Sequence, residues 1–365
     1  MKVALVYDRV NKFGGAERVL QVLAEIYLDA PLYSAVYNKE TAHWADDFTL
    51  QTTFLQHIPY AKTNHEYIAP LASLAFEGLD FSEFDLVISV TSEYAKGIIT
   101  KPNTLHICYC LTPTRYLWSG YEQYFTNDIA KIVSKPMVAY LKNWDIVAAA
   151  RPDFYIAISK TVAARIKKYY GRESVVIYPP VTLEVAKVSK VPKVSNGSYF
   201  LIVSRLVPYK RIDIAIEACN RLGWELKIVG TGREYDRLKS LAGPTIEFLQ
   251  NLTDGQLIGY YQDCAALIFP AEEDFGLAIL EAQRFGKPVI AFRGGGALET
   301  VVEGKTGMLF SPQTAAALIG ALRKFKPSAF NPKDSIANTK KFGKERFKKE
   351  FKSTVDRLYE EYRKN

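Results

Sequence analysis

The chain has 365 residues, of which 48% are hydrophobic and 24% charged, with four cysteines and a formal net charge of +8. This supplies core for two or three domains and excludes a disordered chain. No apolar run reaches the length of a membrane span, and the short N-terminal run reads as a strand instead of a signal peptide, so a cytosolic protein is expected.

The first half opens strand, loop, helix. Lys2–Tyr7 is an apolar strand, 8–15 a loop carrying Gly14 and Gly15, and Ala16–Tyr27 a helix with Val19, Leu20, Val22, Leu23 and Ile26 on one face. Only glycine lets backbone approach a ligand without side-chain obstruction, although a plain tight turn would use the same pair. Asp85–Val90, Leu105–Cys110 and Phe154–Ile158 read as further buried strands, followed by a helix over Thr161–Tyr170 and a strand at Val175–Tyr178. Buried runs alternating with helices predict a parallel, doubly wound sheet. His106, Cys108 and Cys110 alternate on one strand face, but alternate residues lie about 6.6 Å apart. Zinc ligands sit at roughly 2.0–2.3 Å from the ion, so one strand cannot close such a site and no metal is expected. The cysteines read as buried hydrophobes in a reducing compartment.

Pro179, Pro180 and the Lys/Val/Ser/Pro stretch over 181–198 read as a linker. A second α/β domain is predicted over 199–342, with strands at Tyr199–Val203, Glu225–Val229, Ile246–Leu249, Ala265–Phe269, Pro288–Phe292 and Met308–Phe310. Ser204-Arg-Leu-Val-Pro-Tyr-Lys210 follows the first of these. A planar guanidinium at Arg205 and a flexible ammonium at Lys210 can pinch a diphosphate and neutralise a departing nucleotide. Glu273-Asp-Phe-Gly-Leu-Ala-Ile-Leu-Glu281 places Glu273 in a loop at a strand's carboxyl end and Glu281 about a turn into the helix Leu277–Phe285. The free N–H groups and dipole of that helix start favour an anion between two carboxylates, which suits a sugar diphosphate. An amphipathic helix with acidic residues at its start is the plainer alternative. Gly294-Gly-Gly296 leads into another helix and could present N–H groups to an anion or be a flexible turn.

Charge is balanced through residue 322; residues 323–365 hold 14 basic and 6 acidic side chains and so carry the whole excess. Phe347, Phe351, Val355, Leu358 and Tyr362 recur at three- to four-residue steps, predicting an amphipathic helix over 343–365. It is either a docked terminal helix with a solvated lysine face or a peripheral contact with the anionic inner face of a membrane. No nucleic-acid motif accompanies the charge, and nucleic acid is not an expected partner.

The Glu273–Glu281 stretch resembles the E-x7-E signature of retaining GT-B glycosyltransferases, in particular family 4. Ser92–Gly97, Thr112–Trp118, Ile158–Ser159, Lys168–Gly171, Ile177–Val181 and Phe269–Gly276 resemble that family's mannosyltransferase-like branch. The resemblance implies two Rossmann-like domains facing a cleft, an acceptor-binding first domain over 1–180, a donor-binding second domain, and a final helix returning to the first. It implies that Glu273 contacts donor-sugar hydroxyls, Glu281 holds the ribose diol, Arg205 and Lys210 hold the pyrophosphate, and Gly15, Phe275, Gly276 and Leu277 complete the donor site. Glu273, Arg205 and Lys210 would carry the catalysis; Gly14, Glu17 and Arg115 would lie on the acceptor side. The implied donor is a nucleotide diphosphate sugar, GDP-mannose first and a UDP-hexose next, with Leu249–Thr253 near the base and no metal or other cofactor. The implied acceptor is a glycan or a lipid-linked precursor. One departure stands out: the family's usual His before Thr112 is Leu111 here. A non-catalytic sugar- or nucleotide-binding homologue and a nucleotide-sugar 2-epimerase are the alternatives.

Overall fold

The computed structural model describes residues 1–63, 69–121, 128–183 and 199–364. It divides into two compact units: Met1–Pro180 with Lys344–Asn365, and Val181–Gly343.

In the first unit the strands are β1 (Val3–Tyr7), β2 (Leu32–Ser34), β3 (Leu50–Thr52), β4 (Leu86–Thr91), β5 (Leu105–Cys110), β6 (Phe154–Ala157) and β7 (Val175–Val176). Among the described residues its helices ahead of the second unit include α1 (Gly15–Ile26), α2 (Ala69–Glu77), α3 (Asp128–Ala149) and α4 (Lys160–Tyr170). The second unit holds β8 (Tyr199–Val203), β9 (Glu225–Val229), β10 (Ile246–Leu249), β11 (Ala266–Phe269), β12 (Val289–Phe292) and β13 (Gly307–Phe310). Among its helices are α5 (Ile212–Leu222), α6 (Tyr235–Leu241), α7 (Asp254–Asp263), α8 (Leu277–Arg284), α9 (Ala297–Thr300), α10 (Ala315–Lys324) and α11 (Pro332–Thr339). The last helix, α12 (Lys344–Tyr362), belongs to the first unit.

Both sheets are parallel throughout the described residues. Their orders are β3-β2-β1-β4-β5-β6-β7 and β10-β9-β8-β11-β12-β13. Each is doubly wound, as the alternation of buried runs and helices predicts, and strand order reverses beside β1 in one and β8 in the other. The strands are apolar on both faces because helices cover both. In β8, Phe200 and Ile202 face one core while Tyr199 and Leu201 face the other. The same two-residue alternation splits β11 into Ala266 and Ile268 against Leu267 and Phe269.

Val181 and Leu183 are buried in the second unit, and Val181 N donates to Phe342 O at 2.9 Å. The start of the expected linker is therefore core, because its apolar side chains find a packed face. The rest of that linker, 184–198, lies outside the described residues.

The amphipathic tail is a docked helix. Phe347, Phe351, Val355 and Leu358 are buried, and Phe347 and Phe351 pack edge-on against Tyr109 of β5 with centroids 6.0 and 5.7 Å away. Lys344 and Lys348 reach Glu25 of α1 at 2.6 and 2.5 Å, Arg346 donates to Tyr178 O, and Tyr362 donates to Pro102 O. The apolar face is thus spent on the protein's own sheet. No described helix is long and apolar enough to cross a membrane.

Removing a buried aromatic ring leaves a cavity that costs about 3–5 kcal/mol. Phe351→Ala is expected to lower the first unit's stability by that amount, seen as an earlier urea unfolding midpoint. An unchanged midpoint would mean that α12 contributes little to holding this unit together.

Candidate functional site

In the second unit the predicted residues fall on loops that leave the carboxyl ends of β8 and β11 and on α8, the helix that follows the second of these loops. The loop after β8 runs from Ser204 into a short 3-10 turn, Pro208–Lys210. Lys210 is buried and forms an ion pair with Oε1 of Glu273, whose loop follows β11. Arg205 is exposed, and its Nη2 donates to Tyr209 Oη at 2.7 Å. The structure therefore joins Lys210 to Glu273 and sets Arg205 against a phenol on its own loop.

Gly276 caps α8 in the left-handed region at φ 85°, with Phe275 buried beside it and Leu277 as the first helical residue. Phe275 meets the ring of Phe342 at 5.6 Å. Glu281 lies one turn into α8 and accepts a hydrogen bond of 2.8 Å from Tyr261 Oη on α7. Two residues further on, Gln283 is fully buried; it donates to Thr300 O and accepts from Asn338 Nδ2 at 2.7 Å. Buried amides with all these partners pin α8 to α9 and α11.

Two neighbouring loops press on these. A Cβ on Gly230, at φ 150°, would lie 1.8 Å from Ser204 O, and one on Gly295, at φ 56°, would lie 2.1 Å from Glu273 O. Only glycine permits either approach. The N–H of Gly296 donates to Glu273 O at 2.8 Å and that of Gly294 to Phe292 O. Two of the three N–H groups offered to an anion by the sequence are thus used internally, and the glycines instead let backbone buttress the Glu273 loop. Leu249–Thr253 leads into α7, where Thr253 and Gln256 form a capping box.

The remaining predicted residues belong to the first unit. Gly14 caps α1 and Gly15 is its first residue. Glu17 is buried and accepts a 2.6 Å hydrogen bond from Tyr7 Oη, so one of its oxygens is engaged within the unit. Burial and the Glu17 charge hold the Tyr7 phenol neutral, its pKa well above the ordinary value. Arg115 sits in the turn after β5, where its carbonyl accepts from Trp118 N and Gly120 N.

Sequence reasoning missed the charged groups that hold these loops. Asp8, just after β1, accepts from the N–H groups of Ser92, Glu93, Tyr94 and Ala95 and from Thr91 Oγ1 at 2.7–3.1 Å. Arg9 grips Glu93 bidentately at 2.6 and 2.7 Å. Lys96 and Asp145 form a 2.5 Å ion pair at 2% and 0% side-chain exposure. Asp145 also accepts from Thr114 Oγ1, Trp118 Nε1 and Tyr170 Oη at 2.9, 2.7 and 2.8 Å. Burial alone would lower the Lys96 pKa; the Asp145 charge outweighs it and the pKa is raised. The loops after β4 and β5 are thereby tied through one carboxylate. No spacing rule could find it, since its partners come from three separate stretches of chain.

Leu111 continues the β5 ladder, its N–H donating to Thr91 O at 2.8 Å. His106 does not replace the absent imidazole. It is fully buried, hydrogen-bonded to Ser89 at 2.8 Å, and pushed down to about 3 by burial. Among the described residues no group of three His, Cys, Asp or Glu side chains is placed to hold a metal ion, and the four cysteines are buried free thiols.

Two parallel doubly wound units of this kind define the GT-B fold, and solved structures share it. Anabaena Alr3699/HepE, solved with UDP and glucose, superposes at a TM-score of 0.69 with 22% identity, covering 98% of this chain and 99% of that one. Residues 186–342 match the family model "Glycosyl transferases group 1". The chain is 35% identical over 183 residues to alpha-1,3/1,6-mannosyltransferase ALG2 of Dictyostelium discoideum, covering 42% of this chain and 43% of that one. It is 25% identical over 235 residues to O-antigen chain mannosyltransferase C of Escherichia coli, covering 61% and 60%. The chain spans about half the length of the first curated relatives it matches.

Removing one partner of a buried ion pair costs about 3–5 kcal/mol, whereas replacing both by apolar residues is often neutral. Asp145→Ala is expected to lower the unfolding midpoint accordingly, and the Lys96→Met/Asp145→Leu double variant to recover most of the loss. A double variant as unstable as the single one would show that the hydrogen bonds to Thr114, Trp118 and Tyr170 dominate instead.

Proposed function

We propose that this chain is a retaining glycosyltransferase. It moves a hexose from a nucleotide diphosphate sugar to a hydroxyl of a glycan or lipid-linked acceptor, in the making of a surface polysaccharide, lipopolysaccharide or glycolipid. The observation that carries the reading is the Lys210–Glu273 ion pair, set on strand-end loops inside the segment that matches the family model. A cation paired with a carboxylate at such a loop can exchange that partner for a phosphate while the carboxylate turns to sugar hydroxyls.

Arg205 and Lys210 hold the pyrophosphate and neutralise the charge that builds as the nucleotide leaves, a task they perform without a metal ion. Glu273 binds donor-sugar hydroxyls. Glu281, oriented by Tyr261, holds the ribose diol. The backbone at Phe275, Gly276 and Leu277 opens α8, whose dipole favours the anionic donor. Gly15 allows close approach to the phosphates; Gly14, Glu17 and Arg115 serve the acceptor side. Attack comes from the face the nucleotide leaves, and the leaving phosphate takes the acceptor's proton. The protein then supplies position and field in place of a dedicated base.

Mannose is the favoured sugar and GDP-mannose the favoured donor, on the strength of two relatives named as mannosyltransferases. A UDP-hexose comes next, since the Anabaena protein was solved with UDP. Leu111 favours a second reading, a chain that binds the donor without transferring it, because no imidazole stands at the end of β5. Its place is the cytoplasm, with peripheral contact at the inner face of the membrane as the alternative.

Calorimetric titration with GDP, UDP and ADP ranks the bases, and a preference for UDP would redirect the donor assignment. Glu273→Gln is expected to cut transfer by about 10²-fold with nucleotide affinity nearly unchanged. Glu281→Ala should weaken nucleotide binding by about tenfold, the loss of one charge-assisted hydrogen bond. Wild-type behaviour in both variants would sink the site assignment. Donor binding without transfer, restored by Leu111→His, would establish the second reading.

A further inference from the structure

Phe13 stands in the loop between β1 and α1, next to Gly14, and is 46% exposed. A single exposed ring needs no explanation. Here three rings come together at the carboxyl end of the first sheet. Trp44, from the segment after β2, lies 6.5 Å from Phe13 at an interplanar angle of 44°, and Phe48 packs edge-on against Trp44 at 5.7 Å. The two segments are zipped. Trp44 Nε1 donates to Lys12 O at 2.7 Å, Thr41 Oγ1 to Asn11 O at 2.8 Å and Asn38 N to Val10 O at 2.8 Å. Val10 also bridges Tyr37 in parallel. The rings are therefore held before any ligand arrives, which lowers the ordering cost of binding.

We propose that Phe13 and Trp44 form an aromatic shelf that stacks on a sugar ring of the acceptor glycan. Both strand-end segments belong to the edge where open α/β sheets bind ligands, beside the point where strand order reverses. A pyranose has an apolar C–H face and a rim of hydroxyls. Aromatic faces carry partial negative charge that attracts polarised C–H groups. The Arg18 guanidinium lies over the Phe13 ring, 5.0 Å from its centroid, and so brings N–H donors of the kind that bind hydroxyls next to the aromatic pair. Phe13 borders Gly14, so a stacked ring would be next to a residue assigned to the acceptor side. The shelf's role as an acceptor subsite rests on the glycosyltransferase proposal; its sugar binding does not need transfer to be seen.

The test uses the full chain labelled with 5-fluorotryptophan, which gives one fluorine resonance for each of four tryptophans, Trp44 being assigned by Trp44→Phe. The probes are methyl glycosides of mannose, glucose, galactose and N-acetylglucosamine, with GDP and UDP titrated separately. At least one glycoside is expected to shift the Trp44 resonance saturably. Phe13→Ala should weaken that binding by about tenfold, the upper range for one aromatic stacking contact, while leaving nucleotide affinity unchanged. Because Phe13 is half exposed, the variant should keep the parent unfolding midpoint, and Trp44→Phe, which retains a ring but lacks the reporter resonance, should bind in between when titrated by calorimetry. The proposal is overturned if no glycoside moves Trp44, if Phe13→Ala binds as tightly as the parent, or if nucleotides move Trp44 and glycosides do not. A chain that binds glycoside at Trp44 but no nucleotide keeps the shelf and refutes the transferase reading instead.

Discussion

Parallel pairing is the constraint on which the rest depends. When every strand of a sheet runs the same way, every loop that leaves a carboxyl end emerges on one edge. In the second unit this brings the loop of Arg205 and Lys210 and the loop of Glu273 onto neighbouring strands, β8 and β11, which are joined in register from Ala266 to Phe200. A basic residue and an acidic residue 63 positions apart then meet as an ion pair. Apart from the 3-10 turn Pro208–Lys210, neither loop has regular structure of its own to hold it. The neighbouring backbone does that, through glycines that come within van der Waals contact of Ser204 and Glu273.

The first unit solves the same problem with buried charge. Its strand-end loops are larger, and Asp8 and Asp145 act as acceptors for whole clusters of N–H and O–H groups. A buried carboxylate is costly unless fully hydrogen-bonded, and both of these are. The outcome is a set of loops with fixed conformations on which polar and aromatic side chains can be displayed. The two units thus use different chemistry, close backbone contact in one and charge hubs in the other, to make irregular chain rigid.

Much of this was legible in the sequence because the strands are long apolar runs and the loops that follow them carry glycine and charge. The strand-end positions of Lys210 and Glu273 and the helical position of Glu281 could be read that way, and the tail's five-residue apolar stripe predicted an amphipathic helix, its docking being one of two readings. What was not legible falls into two kinds. β2 and β3 are three residues each, too short for a period to show. The partners Tyr209, Tyr261, Asp145 and the Gln283–Asn338 pair depend on contacts between distant stretches, and nothing local marks a tyrosine that will orient a glutamate. The run of three glycines was visible, but not which of its two readings applied: the Gly296 N–H is spent on Glu273 O and the Gly294 N–H on Phe292 O, contacts that only the folded loops reveal.

The first unit is assembled from both ends of the chain, with the second unit inserted between them. During synthesis on the ribosome, Tyr109 emerges long before Phe347 and Phe351, which cover it. The unit that begins first is therefore completed last, and the inserted unit has all of its own chain available while its neighbour still exposes an apolar groove on β5. Order of translation and order of completion are reversed, and the nascent first unit must tolerate that open face until the first turns of α12, which carry Phe347 and Phe351, leave the exit tunnel.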